Sequence, residues 1–443
     1  MMTKALKGSI RVPSDKSLSH RVALFSAMAE GSSHVFGLLD SLDVHATLGA
    51  IEALGAKVEL TPGEHGLCGT ITGWGAAGPA LPFRALQCGN SGTTARLLLG
   101  ILSGYDVTAC LIGDASLSKR PMSRVTVPLS MMGASFKPCG ESVQSDTSQT
   151  QDKLPLNIQG KALLKAIEYI SPVASAQVKS AILLAGLHAD GKTRVTEPFK
   201  SRDHTELLLP AYGVAVETNA MTTGIQGGQQ LLASDCSVPG DPSSAAFLLV
   251  AAALIEGSAV TINDVLLNPT RTGFIDVMRR MGADIEIKVR DKGNLGAEHT
   301  GDITVRYSTA LLATTVKAHE VASLIDEVPI MALLATTASG ETVFEQVGEL
   351  RHKESDRLAA IVSGLTRLGF EAYELGDDLH VRSGRIRPAD TTPLTLETFG
   401  DHRLAMSWSI AALAFDQKLN ILDLESSGVS YPGFFADLEY LSA

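Results

Sequence analysis

The chain has 443 residues, of which 45% are hydrophobic and 19% are charged, and its formal net charge at pH 7 is −11. This much hydrophobic sequence can bury a large core, and the length predicts two domains. The acidic balance argues against a nucleic-acid partner and against an anionic membrane surface.

The start of the chain lacks the apolar region of a signal peptide, and the longest strongly apolar run, residues 245–255, is too short to span a bilayer. The cysteines are scattered and form no C-x-x-C pair: Cys68, Cys88, Cys110, Cys139 and Cys236. We therefore expect reduced thiols, no metal site and a cytoplasmic protein with no membrane contact.

The first predicted helix begins in the segment 13–21, which places Lys16, Ser17 and Arg21 at its entry. The next informative segment, 89–96, has two glycines and short polar side chains immediately before an apolar run. Glycine exposes backbone N–H groups, and the helix dipole favours an anion at that end. The pattern therefore predicts an anion site, or alternatively a glycine-rich turn that caps an ordinary helix.

Three later segments repeat this association of cations with predicted helix starts. They are residues 113–121, 351–357 and 401–403, and they carry Arg120, Lys353, Arg357 and Arg403. Any one of them is typical of a solvated face or a structural salt bridge. Together they predict a ligand with several negative charges.

A bulky residue followed by glycine and then by a period-two strand recurs along the chain, each time after an amphipathic helix pattern. The glycines are Gly55, Gly133, Gly213, Gly282 and Gly369. Each is predicted to end its helix in the left-handed conformation. Their similar spacing indicates a repeated helix-and-strand unit, with a sixth copy starting near residue 432 and the N-terminal strand 8–12 completing it.

Two other segments are predicted to be connections. Residues 141–153 are polar and predict an exposed loop. Residues 238–244 predict a turn, with Asp241 as N-cap and Pro242 as the first residue of the next helix, at a crossing between domains.

Ten ordered motifs resemble those of the 5-enolpyruvylshikimate-3-phosphate synthases from end to end. They include Pro-Ser-Asp-Lys-Ser-Leu-Ser-His-Arg (13–21), Gly-Asn-Ser-Gly-Thr (89–93), Ile-Asp-Glu-Val-Pro (325–329) and Lys-Glu-Ser-Asp-Arg (353–357). Ser-Ala-Gln-Val-Lys-Ser (175–180) and Arg-Asp-His-Thr-Glu (202–206) are similar to the class II branch.

The resemblance implies an inside-out α/β barrel fold with two domains, each made of three βαβαββ units. Residues 1–14 and 239–443 would form domain 1, with the N-terminal strand completing the C-terminal unit, and residues 15–238 would form domain 2. The active site would lie in the cleft between the domains.

The implied reaction transfers the enolpyruvyl group of phosphoenolpyruvate to the 5-hydroxyl of shikimate 3-phosphate by addition and elimination, without metal or organic cofactor. The products are 5-enolpyruvylshikimate 3-phosphate and phosphate, on the route to chorismate and the aromatic amino acids. Asp326 is expected to be the base, with Lys16 and Glu354 as partners in proton transfer, and the division of roles among the three stays open.

The resemblance also implies two sets of binding residues. Those for phosphoenolpyruvate are Lys16, Gly92, Arg120, Arg357 and Arg403, and Gln177 would bridge the two substrates. Those for shikimate 3-phosphate are Ser17, Arg21, Ser175, Ala176, Arg202 and Lys353, together with Asp326 at the 5-hydroxyl. Arg96, Arg124 and His402 are expected to lie behind these residues.

Two alternatives remain. The enzymes that transfer enolpyruvyl to UDP-N-acetylglucosamine share fold and donor, but they carry a reactive cysteine in the loop that matches 113–121, where this chain has none. A non-catalytic anion-binding homologue is the other alternative.

We also expect a monomer, because no extended apolar stripe argues for assembly. The resemblance further implies a glyphosate target, because the family members that resist glyphosate tend to carry alanine at the position of Gly92.

Overall fold

The computed structural model describes residues 4–139, 153–290, 296–385 and 393–443, and these form an α/β protein. The α-helices are α1 (Lys16–Met28), α2 (Leu42–Ala53), α3 (Gly92–Ser103), α4 (Ser123–Met132), α5 (Ala176–Gly186), α6 (His204–Leu208), α7 (Pro242–Leu254), α8 (Gly273–Arg280), α9 (Ala318–Val321), α10 (Val328–Ala335), α11 (Arg357–Arg367), α12 (His402–Ala414) and α13 (Phe434–Ser442).

The strands are β1 (Lys7–Ile10), β2 (Ser32–Leu38), β3 (Lys57–Gly63), β4 (Gly66–Thr72), β5 (Leu86–Gln87), β6 (Thr108–Ile112), β7 (Ser135–Pro138), β8 (Leu156–Gln159), β9 (Leu164–Lys165), β10 (Glu168–Ile170), β11 (Ala189–Asp190), β12 (Lys192–Thr196), β13 (Val216–Asn219), β14 (Thr222–Gln226), β15 (Cys236–Ser237), β16 (Ala259–Leu266), β17 (Asp284–Val289), β18 (Thr300–Arg306), β19 (Thr315–Val316), β20 (Glu341–Phe344), β21 (Phe370–Leu375), β22 (Asp378–Arg385), β23 (Leu394–Leu396) and β24 (Leu419–Ile421).

Five four-stranded sheets in the described part of the chain share one pairing pattern. Their strand orders are β15-β2-β4-β3, β5-β6-β8-β7, β10-β12-β14-β13, β1-β16-β18-β17 and β19-β20-β22-β21. In each sheet the first pair is parallel and the two others are antiparallel. The repeated unit predicted from the glycine pattern is therefore confirmed.

The five junction glycines have φ between +80° at Gly213 and +115° at Gly133. This left-handed region costs little only for a residue without Cβ, so glycine ends the preceding helix and turns the chain into strands β3, β7, β13, β17 and β21. The predicted left-handed helix ends are confirmed at all five positions.

The chain divides into two compact units. Unit 1 contains residues 1–13, 239–291 and 299–443, and unit 2 contains residues 14–238 and 292–298. The described part of the last segment, residues 296–298, belongs to unit 2 although it lies in the sequence between strands β17 and β18 of unit 1, which was not foreseen from the sequence.

The N-terminal strand does not complete the C-terminal unit, so that prediction was wrong. Instead β1 pairs in parallel with β16. In each four-stranded sheet the edge beside the first antiparallel strand is filled by one short parallel strand. In three sheets this strand, β5, β10 or β19, comes shortly before its partner in the sequence. In the other two it is β1 or β15, each of which comes just before a point where the chain passes from one unit to the other. The chain ends still lie together, since Lys4 Nζ donates to the carbonyl of Ala443 at 3.2 Å.

Helices form the core of each unit, as an inside-out arrangement requires. Every residue of α1 from Leu18 to Met28 is buried, and α7 is buried from Pro242 to Ala253. In unit 2, α3 packs against α5, and in unit 1, α7, α10 and α12 pack together. Asp241 accepts a hydrogen bond from the N–H of Ser243, which confirms the predicted cap of α7.

Two other predictions need correction or lie outside the structure. The helix predicted to start in the segment 351–357 begins only at Arg357, because Asp356 caps it, so Lys353 lies before helix α11. The exposed loop predicted over residues 141–153 falls outside the described residues except for Lys153. Among the described helices, none has both the length and the apolar character needed to cross a bilayer.

The expectation of five reduced cysteines is also wrong, because Cys110 and Cys139 form a disulfide with their Cα atoms 6.3 Å apart. Cys110 lies in β6 and Cys139 follows β7, and both strands pair with β8. The sheet thus brings together two residues whose separation of 29 along the chain gives no local signal. The free cysteines of the described residues are Cys68, Cys88 and Cys236.

We expect reduction of this disulfide to lower the free energy of unfolding by ~3–4 kcal/mol, because closing a loop of this length restricts the unfolded chain. Urea unfolding with and without dithiothreitol measures the change. Alkylation of Cys88 serves as an internal control for folding. Burial raises the pKa of its thiol to about 12, so this thiol should react slowly as long as the protein is folded. Five titratable thiols in unfolded, non-reduced protein would contradict the disulfide.

Candidate functional site

The first turn of α1 presents two of the predicted cations. Asp15 caps the helix by accepting from the N–H of Leu18 at 2.7 Å, so the backbone N–H groups at this end are ordered. Lys16 Nζ lies 3.1 Å from Asp43 Oδ2, with one fifth of the lysine side chain exposed. The lysine is thus anchored and still accessible to a ligand.

Arg21 lies one turn further along α1 and is almost completely buried. Its Nε donates to Thr205 Oγ1 at 2.8 Å, and its Nη2 donates to Ser180 Oγ at 2.8 Å. Nη1 donates to the carbonyl of Ser17 at 3.1 Å. These contacts hold the guanidinium between α1, α5 and α6, which fixes its orientation in advance of any ligand.

The first turn of α3 is built around Gly92. Ser91 caps the helix by accepting from the N–H of Thr94 at 3.1 Å. A Cβ placed on Gly92 would lie 2.9 Å from Arg96 Nη1 and 3.6 Å from Arg120 Nη1. The glycine therefore lies between two guanidinium groups.

Arg120 is oriented by the polar loop that precedes it. Its Nη2 donates to Asn90 Oδ1 at 2.6 Å and to Ser116 Oγ at 3.2 Å. Asp114 in turn accepts from the Asn90 side-chain amide at 2.7 Å and from the N–H of Leu117 at 2.7 Å. The loop thus fixes Arg120 beside the start of α3.

Arg96 connects α3 to Gln177 on the first turn of α5. Its Nη1 donates to Gln177 Oε1 at 2.6 Å, and its Nη2 donates to the carbonyl of Pro121 at 3.1 Å. Gln177 Nε2 donates to Thr93 Oγ1 at 3.0 Å. Arg96 therefore sets the orientation of the Gln177 amide, which is the supporting role expected for it.

His20 connects α1 to the cap of α3, a link that sequence reasoning missed. Its Nδ1 lies 2.7 Å from Thr47 Oγ1, which lies 2.6 Å from Thr94 Oγ1, which donates to Ser91 Oγ at 2.7 Å. Burial lowers the pKa of His20 to about 4, so the ring is neutral near pH 7. Since each hydroxyl donates one hydrogen along this chain, the ring must donate from Nδ1.

The other unit 2 residues predicted for the site lie close to these elements along the chain. Ser175 is the N-cap residue of α5 and Ala176 is its first residue. Arg202 is half-buried, two residues before α6, and Arg124 is the second residue of α4. Hydrogen bonds among α1, α3 and α5 thus bring most of the predicted unit 2 residues into one region.

In unit 1, Asp326 lies among three of the predicted cations. Its Oδ1 is 3.2 Å from Lys353 Nζ and 3.2 Å from Arg357 Nη1. Its carbonyl accepts from Arg403 Nη1 at 3.1 Å. Glu354 Oε2 accepts from Arg357 Nη2 at 2.6 Å. All five unit 1 residues predicted for the site therefore form one cluster.

Asp401 is the residue of this cluster to which sequence reasoning gave no role. It is fully buried, and it accepts from Arg357 Nε at 2.7 Å and from the N–H of Arg403 at 3.0 Å as the cap of α12. Its place immediately before a helix was the available signal. His402, expected behind the binding residues, follows it and is buried.

Burial and neighbouring charges shift the pKa values of this cluster in opposite directions. Burial alone would lower the pKa of Arg357, but Asp401, Glu354 and Asp326 raise it above its usual value. Burial alone would raise the pKa of Asp401. The positive charge of Arg357 outweighs this effect and holds the pKa of Asp401 below its usual value. The arginine and Asp401 are therefore both charged at neutral pH.

Cations grouped at helix starts in an α/β fold are typical of enzymes that bind small, multiply charged anions. A family model described as EPSP synthase (3-phosphoshikimate 1-carboxyvinyltransferase) matches residues 2–438. The chain belongs to the EPSP synthase family and is an enzyme of that transferase class.

Relatives and solved structures agree with this assignment. The 3-phosphoshikimate 1-carboxyvinyltransferase of Bacillus licheniformis is 44% identical over 99% of this chain and 98% of its own. That of Geobacillus kaustophilus is also 44% identical, over 99% and 98%. An EPSP synthase structure from Acinetobacter baumannii has a TM-score of 0.82 and 40% identity, covering 99% of this chain and 96% of its own.

Proposed function

We propose that the chain transfers the enolpyruvyl group of phosphoenolpyruvate to the 5-hydroxyl of shikimate 3-phosphate and releases phosphate. Family membership and the relatives' printed names support this proposal. The observation that carries it is the Asp326 carboxylate beside Lys353 and Arg357. A carboxylate held by fixed cations among anion-binding groups suits proton transfer next to a charged substrate.

The chemistry needs a proton acceptor and a proton donor in turn. As the 5-hydroxyl oxygen bonds to C2 of phosphoenolpyruvate, its proton leaves and C3 gains a proton. The tetrahedral adduct then loses phosphate as C3 returns its proton. We assign the 5-hydroxyl proton to Asp326 and place Lys16 and Glu354 at the proton transfers to and from C3.

Substrate binding follows from the two clusters. Arg120 and Lys16 in unit 2, with Arg357 and Arg403 in unit 1, would bind the phosphate and carboxylate of phosphoenolpyruvate, since guanidinium groups match both anions. The shikimate 3-phosphate residues named above would bind the second anion. This assignment requires the two units to form one cleft, as the family resemblance implies.

Phosphate release tests the proposal. Purified protein is mixed with phosphoenolpyruvate alone, with shikimate 3-phosphate added, or with UDP-N-acetylglucosamine added. We expect release only with shikimate 3-phosphate. Release with the UDP-sugar would instead favour the sister activity, and no acceptor-dependent release would favour a non-catalytic homologue.

We also propose a monomeric, cytoplasmic protein. The net charge of −11 supports the first, because like-charged copies repel each other. The second is supported by the proposed donor, a charged phosphorylated metabolite retained inside cells. Light scattering of the purified chain and fractionation of expressing cells test the two statements.

We further propose that glyphosate, which competes with phosphoenolpyruvate in this family, inhibits this chain, and that Gly92→Ala weakens glyphosate more than phosphoenolpyruvate. The added methyl would crowd the Arg96 guanidinium and reduce the space beside it, which glyphosate tolerates less well because its chain between carboxylate and phosphorus is one atom longer. The measurement is the inhibition constant of glyphosate against the KM of phosphoenolpyruvate, in wild type and variant.

Gly89→Ala is not a suitable control, because Gly89 has φ of +54° and any side chain there is strained. Gly49→Ala is suitable, because no atom lies within 4 Å of its Cβ position in helix α2. It should leave both constants unchanged. Equal weakening of glyphosate and phosphoenolpyruvate by Gly92→Ala would contradict the selective effect.

A further inference from the structure

Two irregular segments of unit 2 carry residues expected to contact shikimate 3-phosphate. Residues 171–175 lead from β10 into α5, and residues 197–203 lead from β12 into α6. The first ends at Ser175, directly before Ala176, and the second contains Arg202. Because neither segment lies in a strand or helix, other contacts must fix its conformation.

Glu197 joins the two segments. Its Oε1 accepts from the backbone N–H of Ser175 at 3.1 Å and from Ser201 Oγ at 2.5 Å. Its Oε2 lies 2.7 Å from Lys179 Nζ, and both side chains are only 3% exposed. One buried carboxylate thus binds the end of the first segment, the middle of the second and the second turn of α5.

Lys179 pairs with a second buried carboxylate, that of Glu206. Lys179 Nζ also lies 2.7 Å from Glu206 Oε1. Burial raises the pKa of Glu206 even though Lys179 opposes the shift, and Glu206 Oε2 has no hydrogen-bond partner among the described residues. Lys179 thus pairs with both carboxylates, but among the described residues only Glu197 accepts hydrogen bonds from Ser175 and Ser201.

The same two helices also hold Arg21. Ser180 and Thr205, which follow Lys179 and precede Glu206 in the sequence, bind the Arg21 guanidinium, and their hydroxyl oxygens lie 2.7 Å apart. Lys179 and Glu206 are therefore each adjacent in sequence to a residue that binds Arg21. Arg21 is a cation expected to contact the same substrate.

We infer that Glu197 is a positioning residue for the phosphorylated acceptor, which it serves by holding Ser175 and the 197–203 segment in their binding arrangement. The inference rests on the proposed function. A site held in place before binding does not lose free energy to ordering when the ligand arrives. Loss of Glu197 should then weaken the binding of shikimate 3-phosphate and leave the binding of phosphoenolpyruvate unchanged.

The test is the variant Glu197→Met. Lys179 keeps Glu206 as its partner in this variant, so no buried cation is left unpaired. We expect the KM for shikimate 3-phosphate to rise by about 10-fold or more, as expected for lost hydrogen bonds to a charged group, with kcat and the KM for phosphoenolpyruvate within about 2-fold. Glu206→Gln is the matched control and should leave both KM values unchanged.

A second variant covers failure of Glu197→Met to fold. Ser201→Ala removes one hydrogen bond to Glu197, with little risk to the core, and should raise only the KM for shikimate 3-phosphate, by a smaller factor.

The outcomes separate the inference from the proposed function. Wild-type protein without acceptor-dependent phosphate release defeats the proposed function. An active wild type with unchanged acceptor KM in the variants overturns the positioning role, as does an equal rise in both KM values, which would indicate general damage.

Discussion

Asp326→Ala lowers kcat by about 10²–10⁴-fold and changes the KM of phosphoenolpyruvate little, if Asp326 is the base. The structure supports a large effect, because this carboxylate is buried and lies 3.2 Å from both Lys353 and Arg357. The two cations keep the carboxylate oriented. Steady-state kinetics with each substrate varied in turn measures the effect.

Loss of the carboxylate also releases Lys353, which is expected to contact shikimate 3-phosphate. A moderate rise in the KM of that substrate is therefore part of the prediction. Asp326→Asn separates charge from shape, since the amide keeps the size but cannot accept a proton at neutral pH. Both variants should lose kcat to a similar extent, and a turnover number unchanged in either would refute the role as base.

Much of the fold could be read from the sequence because its signals are local. Gly55 and the four equivalent glycines mark helix ends through backbone sterics alone, and Asp241 marks a helix start through one hydrogen bond. The pairing of β1 with β16 has no such signal, because it joins residues about 250 positions apart. The Cys110–Cys139 disulfide also depends on strand order.

The candidate site shows the same contrast between local sequence signals and contacts that only the fold creates. Charged residues at helix starts, such as Lys16 and Arg357, were predicted from their motifs and from resemblance. The residues that orient them were not, because Thr205, Ser180 and Asn90 are ordinary polar residues until the fold brings them to a guanidinium. Sequence reasoning thus found the groups that would meet the ligand more readily than the groups that hold them.

Asp401→Asn is expected to destabilise the protein by ~3–5 kcal/mol, the cost of removing one partner of a buried ion pair. Asp401 and Arg357 are at most 1% exposed, so solvent does not screen their interaction. The substitution leaves Arg357 buried beside Glu354 and Asp326 without its main partner. We therefore also expect the KM of phosphoenolpyruvate to rise, because Arg357 loses the contact that orients it.

Glu371→Gln provides the control for stability. Glu371 pairs with Arg382 at 2.7 Å, but the side chains are 39% and 49% exposed, so its loss should cost no more than about 1 kcal/mol. Urea unfolding at pH 7 compares the two variants. Equal small losses would show that the Asp401–Arg357 pair contributes no more than a surface pair.

The dependence on pH tests the cause, because the pKa of Asp401 lies below its usual value in the folded protein. A carboxyl with a lowered folded pKa adds stability above its unfolded pKa of about 3.9 and loses that contribution as pH falls through the folded pKa. The difference in unfolding free energy between wild type and Asp401→Asn should therefore be constant near neutrality and shrink only in acid. A difference that stayed constant into strong acid would show that the aspartate acts through its shape rather than its charge.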